Sequence, residues 1–190
     1  MKDANGNKIV KETTTTTSVS DATQYLCGDV LPDVYGGFGT SINWKGLDFS
    51  VDFQYQLGGQ VFDDEYQSLM GGSAGYGMHS DLLKAWTPEN PNSNIPRFEN
   101  SYTYMASTSD RWLTNASYLT LANITLGYTL PTSWTTKLGV QKLRIYAVGD
   151  NLYTWSKRKG LDPRQSITGG SSGTYYSTVR TISGGISLTF

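Results

Sequence analysis

Few residues of this chain carry the chemistry an active centre needs. His79 is the only histidine, and it stands in a Gly/Ser-rich stretch with no partners that would make a Ser-His-Asp relay or a histidine metal site. Asp63, Asp64 and Glu65 form an acidic run that could bind a cation or supply an acid/base pair of carboxylates. At the head of DDEYQSLM the same run reads as the charged start of a short loop helix. Asp3-Ala4-Asn5-Gly6-Asn7 has a faint likeness to a calcium loop, but the later acidic ligands are missing and turn chemistry accounts for it. Cys27 stands alone, so the chain holds neither a disulfide frame nor a cysteine metal cage. Asn115-Ala116-Ser117 and Asn123-Ile124-Thr125 fit the glycosylation pattern, the second inside a strand. These residues predict no enzyme, no metal and no cofactor.

Aromatic side chains are the better candidates for contact. Trp86, Arg97, Phe98, Tyr102, Tyr104 and Trp112 fall in one long polar segment, and Tyr175 and Tyr176 in another. Such rings stack on sugar faces or anchor protein interfaces, and they also simply pack loops. Each is a candidate ligand or partner contact.

The elements that must position these loops are strands. Charged residues make up 16% of the chain, well under the roughly 25% of a soluble domain. Gly, Ser, Thr and Tyr take their place. Net charge is −1, which gives no basic field for nucleic acid or anionic lipid. No apolar run is long enough for a membrane-spanning helix, and MKDANGNKIVKE lacks the apolar core of a signal peptide. Residues 1–33 read as irregular loop, with a low-complexity run at Thr13–Thr17.

From residue 34 onward the side chains alternate. Val34, Gly36, Phe38, Thr40, Ile42 and Trp44 face one way over 34–44, and Lys45-Gly46 makes a hairpin turn. Over 47–57, Leu47, Phe49, Val51, Phe53, Tyr55 and Leu57 oppose Asp48, Ser50, Asp52, Gln54 and Gln56. Further strands are predicted at about 118–130, 143–155 and 178–190. In the third, Tyr118, Thr120, Ala122, Ile124, Leu126, Tyr128 and Leu130 share a face, with Leu119 and Leu121 out of pattern. In the fourth, Leu143, Ile145, Ala147, Tyr153 and Trp155 are expected to face out, and Arg144, Tyr146 and Asp150 in. In the last, Ile182, Gly184, Ile186, Leu188 and Phe190 share the apolar face. A ribbon that is apolar on one side and small and hydroxylated on the other, about 25 Å tall when tilted, suits a membrane barrel.

Short and long connectors alternate: 45–46, 58–116, 131–142, then 156–177 before the final strand. This places the short connectors and the C-terminus on one side, the periplasmic one in an outer membrane. Trp44, Tyr128 and Phe190 fall at the short-connector ends of the apolar faces, and Tyr55, Tyr118 and Tyr153 at the long-loop ends. Those are the positions of two interfacial girdles. Arg180 lies on the apolar side near the outer interface, where its head could snorkel.

Residues 28–190 resemble the SusC/RagA-type TonB-dependent transporters of Bacteroidetes outer membranes. The likeness rests on GDVLPDVYGGFGTSINWKGLDFSVDFQYQLGGQVFD, WTPENPNSNIPRF, SYLTLANITLGYTLP, LRIYAVGDNLYTWSKRKGLDP and the aromatic-terminated last strand. It implies an all-β, antiparallel up-and-down transmembrane β-barrel segment, five strands of about 22 closing around a plug, with long extracellular loops. It also implies import of glycans or peptides, a SusD-like surface lipoprotein as lid, TonB as the energy source, and outer-membrane lipid around the barrel. Ile186, Leu188 and Phe190 then resemble the terminal motif read by the barrel-assembly machinery. The chain lacks a TonB box and a plug, so it is expected to be the last fifth or so of such a transporter. The other reading is a soluble or secreted β-sandwich that binds carbohydrate through its loop aromatics. In that fold the apolar faces would be buried against a second sheet.

Overall fold

The computed structural model describes residues 25–72, 75–98, 107–158, 160–165, 170–171 and 177–190. The main element is a five-stranded antiparallel sheet of β1 (Val34–Trp44), β2 (Leu47–Leu57), β5 (Tyr118–Thr129), β6 (Lys142–Ser156) and β8 (Thr181–Thr189), neighbours in that order. Successive strands of the sheet are adjacent, which makes it an up-and-down meander. The turn at Lys45-Gly46 has positive φ at both residues, 47° and 87°, as a two-residue hairpin matched to the twist of its strands requires. Glycine is needed at the second place for another reason: a Cβ on Gly46 would lie 2.5 Å from the Thr129 carbonyl oxygen.

The lower half of the sheet, toward the short connectors, is regular. Trp44, Leu47, Tyr128 and Ile145 follow one another across strands, and so do Ile42, Phe49, Leu126, Ala147 and Gly184. Between β5 and β6 the chain makes a helical turn, Thr132–Thr135, then a 3-10 turn, Thr136–Leu138, and leaves through Gly139 at φ 71°. Thr135 is buried there and the Val140 N–H returns to its carbonyl at 3.1 Å.

The upper half is not regular. β2 pairs Asp52 with Asn123 but Phe53 with Leu121, so Ala122 has no partner on β2. On the other side of β5 the pairs Leu121–Tyr153 and Asn123–Asp150 leave Asn151 and Leu152 opposite that same alanine. Asn151 sits at φ 50°, a left-handed conformation that asparagine tolerates better than most residues. One extra residue reverses the facing of everything beyond it. Leu119 and Leu121 therefore line up with Tyr55 and Phe53 on the apolar face, and Tyr118 and Thr120 with Gln56 and Gln54 on the polar one. This corrects the sequence expectation for β5: the two leucines that broke the pattern are the true continuation of the apolar face.

Above the bulges the connecting segments form a second, three-stranded sheet. β3 (Gln60–Asp63) lies between β4 (Leu113–Asn115), antiparallel to it, and β7 (Gly170–Ser171), parallel to it. Gly58 and Gly59, both at positive φ, bend the chain from β2 into β3. A Cβ on Gly58 would meet the Asp33 carboxylate at 2.0 Å, and the Gly58 N–H donates to Ser117 Oγ at 2.9 Å. These small strands lie in segments whose polarity predicts loop.

The described residues of 66–110, with 25–27, belong to a compact unit of their own. The helix Asp64–Met70 leads into it, and a 3-10 turn follows at Ser80–Lys84. Its buried apolar residues include Met70, Ala85 and Ile95. Trp86 N–H donates to the Ile95 carbonyl at 2.8 Å, and the Tyr25 hydroxyl donates to the Asp110 carboxylate. No helix among the described residues is long and apolar enough to cross a membrane.

Candidate functional site

The apolar face of the main sheet is bare. Phe38, Ile42, Trp44, Leu126, Ile145, Ile182 and Ile186 are all exposed, Leu126 by 50% and Ile186 by 65%. Among the described residues no second sheet covers them. A soluble monomer rarely shows a contiguous apolar patch of this extent, and the buried contact surface that a β-sandwich requires is missing.

The opposite face is polar and cross-linked. Arg144 on β6 reaches across β5 to Asp48 on β2, with Nε–Oδ1 at 3.0 Å and Nη2–Oδ2 at 2.5 Å. It passes over Gly127, where a Cβ would stand 2.4 Å from the carboxylate and 2.6 Å from the guanidinium. Tyr146 lies under the guanidinium at 4.9 Å and fills the space that Gly185 leaves on β8. Higher up, Asn123 Nδ2 donates to Asp150 at 2.7 Å and the hydroxyls of Thr120 and Thr154 pair at 3.0 Å. Asn123 is thereby committed to the sheet, which removes it as a glycan acceptor. Asp48 and Arg144 were expected on the polar side, and both lie there.

At the long-loop end, the segment after β6 folds back on the bulge. Asp162 takes a two-pronged contact from Arg164, at 2.8 Å from Nε and 2.7 Å from Nη2, and also accepts the Arg164 backbone N–H. Arg164 Nη1 reaches Asn151 Oδ1 at 3.4 Å, and its guanidinium lies 6.0 Å from the Tyr118 ring. Burial alone would push the Asp162 carboxyl up. The Arg164 side chain and backbone, the guanidinium's charge and the Thr178 N–H outweigh it and hold the carboxyl below its ordinary value. Arg158 pairs with Asp63 at 2.5 Å. The acidic run at 63–65 thus contributes an ion-pair partner, and no cluster of three metal-ligating side chains occurs among the described residues. The bulge and the LDPR turn act together, and their signal in the sequence is the pair of polar motifs GDN and LDPR.

The sequence-predicted contacts divide. Trp44, Tyr128 and Tyr153 are exposed and Tyr55 half-buried, all on the apolar face. Tyr118 is corrected: the bulge turns it to the polar face, beneath Arg164. Trp155, which forms an edge-on pair with Tyr153 at 4.7 Å, stands at that height on the apolar face. Ile186 and Leu188 lie exposed on β8, and Phe190 follows it at 79% exposure. Trp86 and Arg97 are exposed and Phe98 is half-buried. Trp112 is corrected as a contact residue: it is 2% exposed, a core residue with the Arg111 guanidinium at 5.5 Å. Tyr102, Tyr104, Tyr175 and Tyr176 lie outside the described residues. His79 is structural, its Nδ1 accepting the Asp81 N–H at 3.1 Å and its ring meeting that of Tyr66 edge-on.

No family model matches the chain. Individual proteins do. TonB-dependent receptor P3 of Formosa agariphila is 31% identical over 182 residues, which cover 90% of this chain and 18% of that receptor. TonB-dependent receptor SusC of Bacteroides thetaiotaomicron is 29% identical over 175 residues, 91% of this chain and 17% of SusC. Among solved structures, the RagAB peptide importer in its closed-closed state superposes with a TM-score of 0.75 at 29% identity, over all of this chain and 20% of that one. The chain belongs to the SusC/RagA-type TonB-dependent receptors. It spans about a fifth of the length of the relatives it matches. The five-stranded meander is a segment of a transmembrane β-barrel wall. These relatives are receptors and transporters, not enzymes.

Proposed function

We propose that this chain supplies the C-terminal part of the barrel of an outer-membrane importer that takes up glycans or peptides with a SusD-like lipoprotein as lid. The bare apolar face carries this reading. Five strands present Leu, Ile, Phe and Ala on a face left uncovered among the described residues, while Arg144 binds Asp48 and Asn123 binds Asp150 on the other side. Lipid suits the first face and a wet lumen or a plug the second. The work of this segment is then mechanical. It forms a static wall and holds the loops, while a plug elsewhere in the receptor moves under the pull of TonB.

The short connectors and Phe190 are assigned to the periplasmic side and the long segments to the cell surface, where Trp86, Arg97 and Phe98 can meet lid or cargo. Ile186, Leu188 and Phe190 serve as the terminal motif for barrel assembly. Cysteine accessibility in the whole receptor, in intact outer membrane, tests the wall. Leu126→Cys and Ile186→Cys should resist a charged maleimide that labels Ser50→Cys and Ser183→Cys from the lumen after the plug is removed. Equal labelling of both sets would refute it. Deleting Phe190 should lower outer-membrane insertion of the whole receptor; unchanged insertion would remove its assembly role.

A further inference from the structure

Toward the short connectors the apolar face ends in a row of Trp44, Leu47, Tyr128, Ile145 and Ile186. Just beyond that row stands the exposed turn residue Lys45, its Nζ 5.1 Å from the centre of the Trp44 ring. The stack holds the ammonium on the apolar side of the sheet, outside its last aromatic row. No ion pair among the described residues includes Lys45. Asp48, three residues on, faces the other way and is held by Arg144. Residues 40–47 and 124–143, which contain the short connectors, include three lysines and no aspartate or glutamate. Lysine is also poorly suited to this turn. Its φ is 47°, in the left-handed region, where glycine and asparagine are better accommodated. The first place of such a two-residue turn ordinarily goes to asparagine, aspartate or glycine. The turn is tied to β5 without the lysine side chain, through the Thr129 N–H and the Gly46 carbonyl at 2.7 Å. A residue disfavoured by its backbone, with its ammonium left unpaired, points to a task outside the turn.

We propose that Lys45 binds the phosphate of an anionic phospholipid whose acyl chains run back over Trp44, Leu47 and Tyr128 toward mid-sheet. The proposal rests on the barrel reading above, because only a membrane-facing surface would meet such a lipid. From mid-sheet outward the order is Ile42 and Leu126, then Trp44 and Tyr128, then the Lys45 ammonium. That is the order of a lipid from chain to headgroup. Trp44 and Tyr128, both exposed, have the character of rings at a headgroup boundary, and a basic group there attracts anionic lipid. A free inorganic phosphate would use the ammonium alone and leave its place at the end of the aromatic row unexplained.

The test uses the whole receptor, purified from outer membrane, stripped of lipid in detergent and titrated with phosphatidylglycerol or phosphatidylcholine of the same chains. Bound lipid is read by native mass spectrometry. Wild type should hold phosphatidylglycerol about fivefold more tightly than phosphatidylcholine, the effect of one basic group at an anionic surface. Lys45→Gln should abolish that preference and Lys45→Arg should keep most of it. Lys142→Gln removes a charge at the same end but on the polar face, in step with Arg144, and should leave the preference intact. Lys45→Asn should abolish the preference without lowering thermal stability, since asparagine suits the turn better. An unchanged preference in Lys45→Gln, an equal loss in Lys142→Gln, or displacement of the lipid by inorganic phosphate alone overturns the site. A less stable Lys45→Asn receptor would overturn it too, because the lysine would then serve the turn. Recovery of the receptor as a heat-modifiable outer-membrane barrel is scored in the same preparations. Failure there strikes the barrel reading, whereas intact barrels with no phosphatidylglycerol preference strike only the lipid site.

Discussion

The two ends of the main sheet each carry an arginine–aspartate pair, and the pairs have opposite structural weight. Arg144 and Asp48, toward the short connectors, join strands whose ladder is already continuous, and both side chains stay nearly 30% exposed. Arg164 and Asp162, at the long-loop end, are 17% and 7% exposed and hold a turn that no ladder aligns. The lower pair decorates a regular lattice. The upper pair stands in for one, because β8 begins only at Thr181, opposite Asp150, and the segment after β6 is fixed over the bulge by side chains.

Removing the upper pair should therefore have the largest effect. Arg164→Ala leaves a buried carboxylate facing only backbone N–H groups, and loss of one partner of a buried pair costs about 3 kcal/mol or more. The expected result in the whole receptor is protease cleavage within 156–165 while the barrel itself stays heat-modifiable. Arg164→Lys should not rescue, since a point charge cannot make the two-pronged contact. Acid should imitate the mutation. The folded state lowers the Asp162 pKa, so the stabilisation is complete at neutral pH and fades as pH falls through the folded, depressed value. Protection of this segment should survive mild acidification and be lost only in stronger acid. A loop equally protected in Arg164→Ala would end the contrast between the two pairs.

The faces of the regular half give the next effect. Leu126→Arg places a charge at mid-height on the outside and should cost about 2–4 kcal/mol of folding stability in lipid. Thr125→Arg, one residue away but on the polar face, should be tolerated. Refolding titrations of the whole barrel into vesicles would measure both, and equal penalties would mean that the two faces do not meet different media.

The regular half was legible in the sequence because a period of two needs only one correct starting face. Leu47 to Leu57 opposite Asp48 to Gln56, and Ile182 to Leu188 opposite Ser183 to Ser187, are the faces that the register places together. The upper half was not legible for the same reason. A single unpaired residue, Ala122, inverts the parity, and nothing in YLTLANIT distinguishes a bulge from a strand with two misplaced leucines. Tyr118 was misassigned on that account alone. Trp112 was misread differently: a polar neighbourhood suggested a loop ring, whereas β4 follows it directly and draws it into a core. GDN and LDP lie within the run LRIYAVGDNLYTWSKRKGLDP that carries the family likeness, but Arg164 lies just beyond it, and their joint role depends on a fold-back that brings residues 151 and 164 together.

Asn151 gives a smaller and sharper test of the bulge. A non-glycine residue at φ 50° costs about 1–2 kcal/mol in the left-handed region, and asparagine bears this better than most. Asn151→Gly should keep the bulge at little cost, apart from the 3.4 Å contact with Arg164. Asn151→Val should be worse than either, since a β-branched residue is least suited to that region. If valine and glycine gave receptors of equal thermal stability, the left-handed residue would not be what sets the register of the upper half.

The smallest effect is expected where the lattice is intact. Arg144→Ala breaks the contact to Asp48, but the strands on both sides of β5 remain paired through Gly127 and Tyr128, and the freed carboxylate faces the polar side. Thermal stability of the whole receptor should stay within error of wild type. Gly127→Ala should do more, because its methyl carbon occupies the path of the bridge, 2.4 Å from the Asp48 carboxylate and 2.6 Å from the guanidinium, and both side chains must move. Combining the two substitutions separates the causes. If Gly127→Ala acts only by displacing the bridge, the double variant with Arg144→Ala should be no worse than Gly127→Ala alone. An additive loss would show that glycine at 127 serves the backbone of β5 and that the ion pair merely uses the space it leaves.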